Sequence, residues 1–266
     1  MDIIKIFKKA RYWTKIYFKS YILKIFLKRK VSQSPIFIVS CGHSGSSLLL
    51  NILGTHSKIY AIPAESNLLL KSNINPILKR FELLTLYNKK ERWLEKTPKH
   101  VRCIASIKTF FPAAKIIYLL RDGRDVSISI KKRTGDITEA AKRWRDDNLM
   151  GEAYLEDQNL LRIKYEDLVS APEKTLKEIF AFLSEDYEEG CLNYHSAPKF
   201  YYSDKIDKPQ NAKEDNHKQF RNWQINQPLF DGRGKWVNMS DEDKNIVKKI
   251  INKKLQEYGY IDSCDW

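Results

Sequence analysis

A chain of 266 residues is long enough to bury one large core and lies near the upper limit of a single domain, so one domain with embellishments is expected. With 42% hydrophobic and 30% charged residues, ten glycines and nine prolines, the composition excludes a disordered or collagen-like chain, and apolar runs such as 116–120 fall far short of the ~20 residues a membrane span needs. The net charge of +14 is uneven, because residues 1–30 hold ten Lys/Arg against Asp2, a surplus of +9, which points to an anionic partner at the N-terminus and disfavours a general nucleic-acid grip.

Residues 1–34 read as a basic amphipathic helix and linker, and residues 35–266 as the main domain. Lys5, Lys8, Lys15 and Lys19 fall on one side of a helical wheel, with Phe7, Ala10, Trp13, Tyr17 and Tyr21 roughly opposite. The stripe fails at Lys24 and Lys28, so the helix is expected to end near Leu23, with 31–35 as linker. Two uses fit it: lying on an anionic membrane surface, or packing on the domain with its lysines in water. The segment lacks the apolar stretch and cleavage site of a secretory signal, and Cys41, Cys103, Cys191 and Cys264 stand apart without metal spacing. A cytoplasmic protein with reduced thiols, peripheral at the membrane if residues 1–30 bind there, is the expectation.

From Pro35 onward, short β-rich runs at 36–40, 58–62, 92–95, 115–120 and 161–165 alternate with helical patterns at 46–53, 67–87, 99–110, 125–133, 138–155, 172–183 and 241–258. Such alternation predicts an α/β fold with a doubly wound, mostly parallel sheet and helices on both faces. Residues 196–238, rich in Asn, Lys, Asp and Gln without periodicity, read as a long loop region of the kind that covers a ligand.

The first strand, loop and helix form an anion cradle. Gly42 and Gly45 permit a tight turn that brings backbone N–H groups to an anion, and Ser46 and Ser47 add hydroxyls at a positive helix N-terminus. A Walker loop would need a lysine and one more residue, so ATP-driven phosphoryl transfer is the weaker alternative. Further on, Arg121 stands at the carboxyl end of a buried strand, followed by a Gly turn and a helix bearing Ser129. A guanidinium fork with a hydroxyl two turns on suits a second phosphate.

These two stretches resemble the sulfotransferases that use 3′-phosphoadenosine 5′-phosphosulfate (PAPS), a family with a P-loop NTPase-like fold. By that resemblance His43-Ser44-Gly45-Ser46-Ser47 is the 5′-phosphosulfate loop, with His43 where the family usually has Lys or Arg, and Arg121 with Ser129 is the 3′-phosphate site. His43 can donate one hydrogen bond to the sulfuryl group, or take up a proton when the dianionic donor binds. The resemblance further implies that Tyr165 approaches the adenine and that Arg233 and Gly234 close over the cofactor, with Lys235 as the fallback.

Sulfuryl transfer needs a base for the acceptor proton and positive charge on the leaving oxygen, and no metal is inherently required. Glu65, just after the second strand and on the side of the first loop, is the candidate base, as in some Golgi-type members. Lys96 ends the third strand and resembles the lysine that related enzymes use at the bridging oxygen. Thr97 and Pro98 open the next helix, and Lys99 and His100 are expected to face the surface. The acceptor expected is a carbohydrate, glycolipid or other small alcohol, held by loops such as 71–91 and 196–238. A small-molecule kinase, or a non-catalytic nucleotide-binding protein at a membrane surface, are the alternatives.

Overall fold

The computed structural model describes residues 3–25, 30–209, 217–263 and 266. Lys28 and Cys264 lie outside the described residues, as do the side chains of residues 3–11, Lys5, Phe7, Lys8 and Ala10 among them. Five strands, β1 (Ile36–Ser40), β2 (Ile59–Ala61), β3 (Arg92–Lys96), β4 (Lys115–Leu120) and β5 (Leu160–Lys164), pair in the order β2-β3-β1-β4-β5, every pair parallel. All five residues of β1 are buried, as a central strand covered on both faces requires.

The period of two along each strand divides the core. Phe37, Val39, Trp93, Ile116, Tyr118 and Leu120 pack on one face beneath α4 (Ile104–Phe110), α5 (Gly123–Thr134), α6 (Ile137–Glu152) and α10 (Asp241–Glu257). Ile36, Ile38, Leu94, Ile117, Leu119 and Ile163 pack on the other beneath α2 (Ser46–Leu53) and α8 (Pro172–Leu183). The sheet is therefore doubly wound, as the strand-helix alternation predicts. Because β1 lies between β3 and β4, the chain leaves it to opposite sides, and a crevice opens at the carboxyl ends of these three strands.

Several elements differ from the sequence reading. The expected helix at 67–87 is a 3-10 turn, Leu68–Leu70, followed by α3 (Asn75–Tyr87), because Pro76 fits only the first turn of a helix. Residues Pro98–Cys103 form a 3-10 turn before α4 begins. Tyr165 opens a short helix, α7 (Tyr165–Ser170), and does not end a strand. The long loop region contains α9 (His217–Ile225), whose polar face hid its periodicity.

The N-terminal helix α1 (Ile3–Ile25) packs on α3. Ser20 Oγ donates to the Leu83 carbonyl at 2.9 Å, Ile16 and Leu23 are buried, and Arg80 and Lys19 lie over the Trp13 and Tyr87 rings at 4.9 and 4.4 Å. Tyr17 and Tyr21, expected on the packed side, instead face outward with Phe18, which is 68% exposed. The packed stripe is Trp13, Ile16, Ser20 and Leu23, so the described part of the helix has apolar side chains on two faces. No helix among the described residues is long and apolar enough to cross a membrane, and Cys41, Cys103 and Cys191 are free thiols.

Candidate active site

The loop after β1 lies at the centre of the crevice. It turns through two left-handed residues, His43 at φ +70° and Gly45 at φ +93°. Gly45 is required twice over, since a Cβ there would also stand 2.6 Å from the Tyr165 ring. Gly45 precedes α2 without a side-chain cap, leaving the first amides of that helix to another partner. Ser44 Oγ is buried and has no hydrogen-bond partner among the described residues.

On the β4 side the structure gathers His43, Arg121, Ser129, Tyr165 and Gly232. His43 Nδ1 is 2.9 Å from Ser129 Oγ. Arg121 leaves the end of β4 with its guanidinium 4.2 Å from the centre of the Tyr165 ring, donating to the carbonyls of His43 at 3.2 Å and Gly232 at 2.7 Å. Its Nε is buried and unpartnered among the described residues. Asp125 accepts from the amides of Gly234 and Trp236, at 2.9 and 3.1 Å, and so lays the 232–236 segment over this cluster. Burial pushes the Asp125 carboxyl up, against the pull of Arg121. Gly234 is thus at the cluster by its backbone, whereas the Arg233 side chain bonds Asp231 in its own exposed turn, at 2.7–3.0 Å.

On the β3 side a second cluster forms around Glu65. Lys96, fully buried at the end of β3, donates to Glu65 Oε1 at 2.9 Å. Arg221, on α9, donates to the same oxygen, and its Nε and Nη2 reach Ser47 Oγ at 3.2 and 3.0 Å. Tyr202 also donates to Ser47 Oγ, at 3.0 Å, with its ring against both cations, Arg221 at 4.4 Å and Lys96 at 5.4 Å. Burial pushes Glu65 up, but the charges and hydrogen bonds of Lys96 and Arg221 outweigh it and hold the carboxyl down at about 2. Arg221 and Tyr202 carry no motif in the sequence, and only the expectation that 196–238 covers a ligand pointed to them. The 71–91 stretch is mostly α3 and packs on α1.

His100 is not at the surface. It is fully buried and bonds Glu95, the neighbour of Lys96, at 3.0 Å. Glu95 Oε1 also accepts from the Ser66 hydroxyl at 2.6 Å, and from the Thr97 hydroxyl at 2.5 Å. Thr97 Oγ1, Ser66 Oγ and His100 Nε2 in turn accept from the amides of Asn67, Leu68 and Leu69. An imidazole that accepts at Nε2 carries its proton on Nδ1, so His100 donates to Glu95. Burial pushes Glu95 up, and the bonds from His100, Ser66 and Thr97 bring it below the usual carboxylate range. This buried network fixes the turn that follows Glu65. Lys99 is exposed, as expected.

Residues 75–189 match the sulfotransferase family. The fold is that of a sulfotransferase domain from the curacin biosynthetic pathway (TM-score 0.61, 19% identity, covering 85% of this chain and 98% of that one). It is also that of the sulfotransferase domain of the Synechococcus PCC 7002 olefin synthase (TM-score 0.59, 19% identity, 83% and 95%). A mouse sulfotransferase solved in complex with PAP matches with a TM-score of 0.58 at 19% identity, over 88% of this chain and 91% of that one. An uncharacterized protein of Aquifex aeolicus is 25% identical over 212 residues, which cover 63% of this chain and 28% of that protein. The chain thus spans less than a third of the length of the curated relative it matches. The resemblance read from the sequence is borne out in the fold and, over residues 75–189, in the match to the family.

Proposed function

We propose that this chain, with the family segment and the fold of sulfotransferases, moves a sulfuryl group from PAPS to the hydroxyl of a carbohydrate, glycolipid or other small alcohol. The observation that carries the reading is the pairing of an anion loop with a carboxylate: Ser47 of the loop and Glu65 share one partner, Arg221, and Lys96 holds Glu65 in place. The residues fit the donor. Ser44 Oγ and Arg121 Nε are buried polar atoms with hydrogen-bonding capacity to spare, and Gly45 keeps the loop clear of a side chain. When bound, PAPS supplies the sulfuryl group and departs as the 3′,5′-bisphosphate.

In this reading Gly42 and the 43–47 loop hold the 5′ end, Arg121 and Ser129 the 3′-phosphate, and Tyr165 the adenine. Gly234 helps close the cover, and Arg233 joins only by leaving Asp231. Glu65 takes the acceptor proton on its carboxylate. Lys96 places an ammonium where charge develops on the departing oxygen, and His43 adds a hydrogen bond. Turnover of radiolabelled PAPS across a panel of acceptors, with and without a chelator, tests the reading. We expect transfer that survives chelation and that falls roughly 10²–10⁴-fold in Glu65→Gln without weaker donor binding. Strict dependence on Mg²⁺ with ATP as donor would transfer the assignment to a kinase, and donor binding with no turnover on any acceptor would favour a non-catalytic binder.

The second partner in the proposal is an anionic membrane surface, met by residues 1–34 as an appendage of the catalytic unit 35–266. Tyr17, Phe18, Tyr21 and Ile25 face outward from α1, 48–68% exposed, with Lys15 and Lys24 beside them. Aromatic rings flanked by lysines suit the interface of an anionic bilayer.

A further inference from the structure

The donor loop has no lysine or arginine of its own, and His43 at that place is engaged with Ser129 on the β4 side. Besides Arg121, which holds the His43 carbonyl, a cation reaches a hydroxyl of the loop from 174 residues away: Arg221, through Nε and Nη2 to Ser47 Oγ. The same guanidinium is held by Glu65. The candidate base therefore carries two cations on one oxygen, Lys96 and Arg221, and a carboxylate so clamped is a poor proton acceptor near neutral pH. For Glu65 to work, one of them must leave. Lys96 is fully buried with Glu65 as its ion pair, so its departure would strand a charge in the core. Arg221 is 27% exposed, projects from a short helix, and rests on the face of Tyr202. Arg221 is the partner that can move.

We propose that Arg221 is a catalytic residue with two positions, on Glu65 in the resting protein and on the anionic 5′ group of the donor in the loaded one, so that filling the donor loop releases the base. The inference rests on the sulfotransferase reading and gives Arg221 a catalytic role and a coupling that the reading does not need. Its physical basis is competition. A phosphate-type anion in the loop offers a planar guanidinium two oxygens, whereas Glu65 offers one oxygen already shared with Lys96. The groups facing Glu65 are Lys96 from β3, Arg221 from α9, and Tyr202 and Ser47 around them, so once Arg221 leaves, Lys96 is the one cation still paired with it among the described residues. Filling the loop should then raise the proton affinity of Glu65, and by reciprocity Glu65 weakens the anion that competes for Arg221.

Calorimetry with two product-like ligands tests this without turnover. Adenosine 3′,5′-bisphosphate carries the 5′ anion and adenosine 3′-monophosphate does not. Arg221→Ala should weaken the bisphosphate about 10- to 100-fold and leave the monophosphate unchanged, while Arg221→Lys, keeping the charge but not the fork, should fall between. Glu65→Gln should tighten the bisphosphate alone, and should lose that gain when combined with Arg221→Ala. The Glu65 carboxyl, followed by NMR of ¹³C-labelled protein, should titrate higher with the bisphosphate present than without it. Equal losses for both ligands in Arg221→Ala would mean a structural role and overturn the proposal, as would bisphosphate binding unchanged in that variant or a Glu65 titration that ignores the bisphosphate. If the parent protein bound neither ligand, the sulfotransferase reading itself would fall, an outcome distinct from all of these.

Discussion

Arg121, the proposed 3′-phosphate residue, already has structural work in this protein. Its Nη atoms hold the carbonyls of His43 and Gly232, and its guanidinium covers Tyr165, so one side chain ties the loop after β1, the 232–236 segment and the Tyr165 ring together. Arg121→Ala should lower bisphosphate affinity by one to two orders of magnitude in calorimetry, the loss of a charge-assisted contact of roughly 1.5–3 kcal/mol. Arg121→Lys should rescue little, because an ammonium cannot reach two carbonyls and a phosphate from one plane; full rescue would show that charge alone matters there. Gly45→Ala is a harsher change, combining a left-handed backbone with a Cβ against Tyr165, and should cost both stability and binding, read from a urea midpoint and the same calorimetry. These residues were legible because backbone demands and fixed spacing leave marks on a sequence: glycines in a strand-loop-helix, or Arg and Ser eight positions apart around one turn. Arg221 left no such mark. Its meaning comes from where α9 folds back onto α2, beside Ser47 and Glu65, a long-range contact that no local pattern encodes.

The element that organises the site is β3, whose last two residues point to opposite sides of the strand. Lys96 goes to Glu65, and Glu95 goes to Ser66, Thr97 and His100, so consecutive positions of one strand fix the proposed base and the turn behind it. The sequence placed this strand correctly but read His100 as a surface residue, since a histidine in a Thr-Pro-Lys-His stretch looks like a polar first turn. The 3-10 winding of Pro98–Cys103 turns it inward instead. Removing His100 leaves the Leu69 amide without a partner and takes from the buried Glu95 carboxylate the donor to its Oε2, so His100→Ala should destabilise the fold by roughly 1–3 kcal/mol, measured by urea unfolding. Glu95 is held below the usual carboxylate range and Glu65 at about 2. For a depressed carboxylate the stabilisation is present above its unfolded value, near 4.5, and disappears as pH falls through the folded one. Urea stability should therefore fall as the solution is acidified below about pH 5, and less steeply in His100→Ala, where Glu95 has lost its principal donor. An equal slope in parent and variant would show that the His100–Glu95 bond contributes nothing to the acid limb.

At the scale of the whole molecule, charge and exposed aromatic surface coincide on α1. Net charge was readable from the sequence, as was the helix, but not which face it buries: Tyr17 and Tyr21 follow the apolar stripe of a wheel, yet α3 takes Ile16, Ser20 and Leu23. Both uses foreseen for the helix are thereby compatible. One face docks on α3 while the other, with Phe18 and Tyr21 outermost, remains open. The two contributions differ in how they respond to salt. Attraction of basic residues to an anionic bilayer, worth about 1 kcal/mol for each residue near the surface, is screened within a Debye length of ~10 Å at 0.1 M salt, whereas insertion of rings is not. Deleting residues 1–30 is a poor test, because it also strips Ile16 and Leu23 from α3 and should lower the melting temperature. Phe18→Ser with Tyr21→Ser spares the packed face and the charge, so the melting temperature should hold. Sedimentation with phosphatidylserine-containing vesicles should show binding in the parent that weakens with salt, loss of most of it in the double variant, and none to phosphatidylcholine alone. Binding that survives the double substitution would assign the attraction to charge without insertion. If the parent ignored anionic vesicles at low salt, the open face of α1 would have to be assigned to a protein partner.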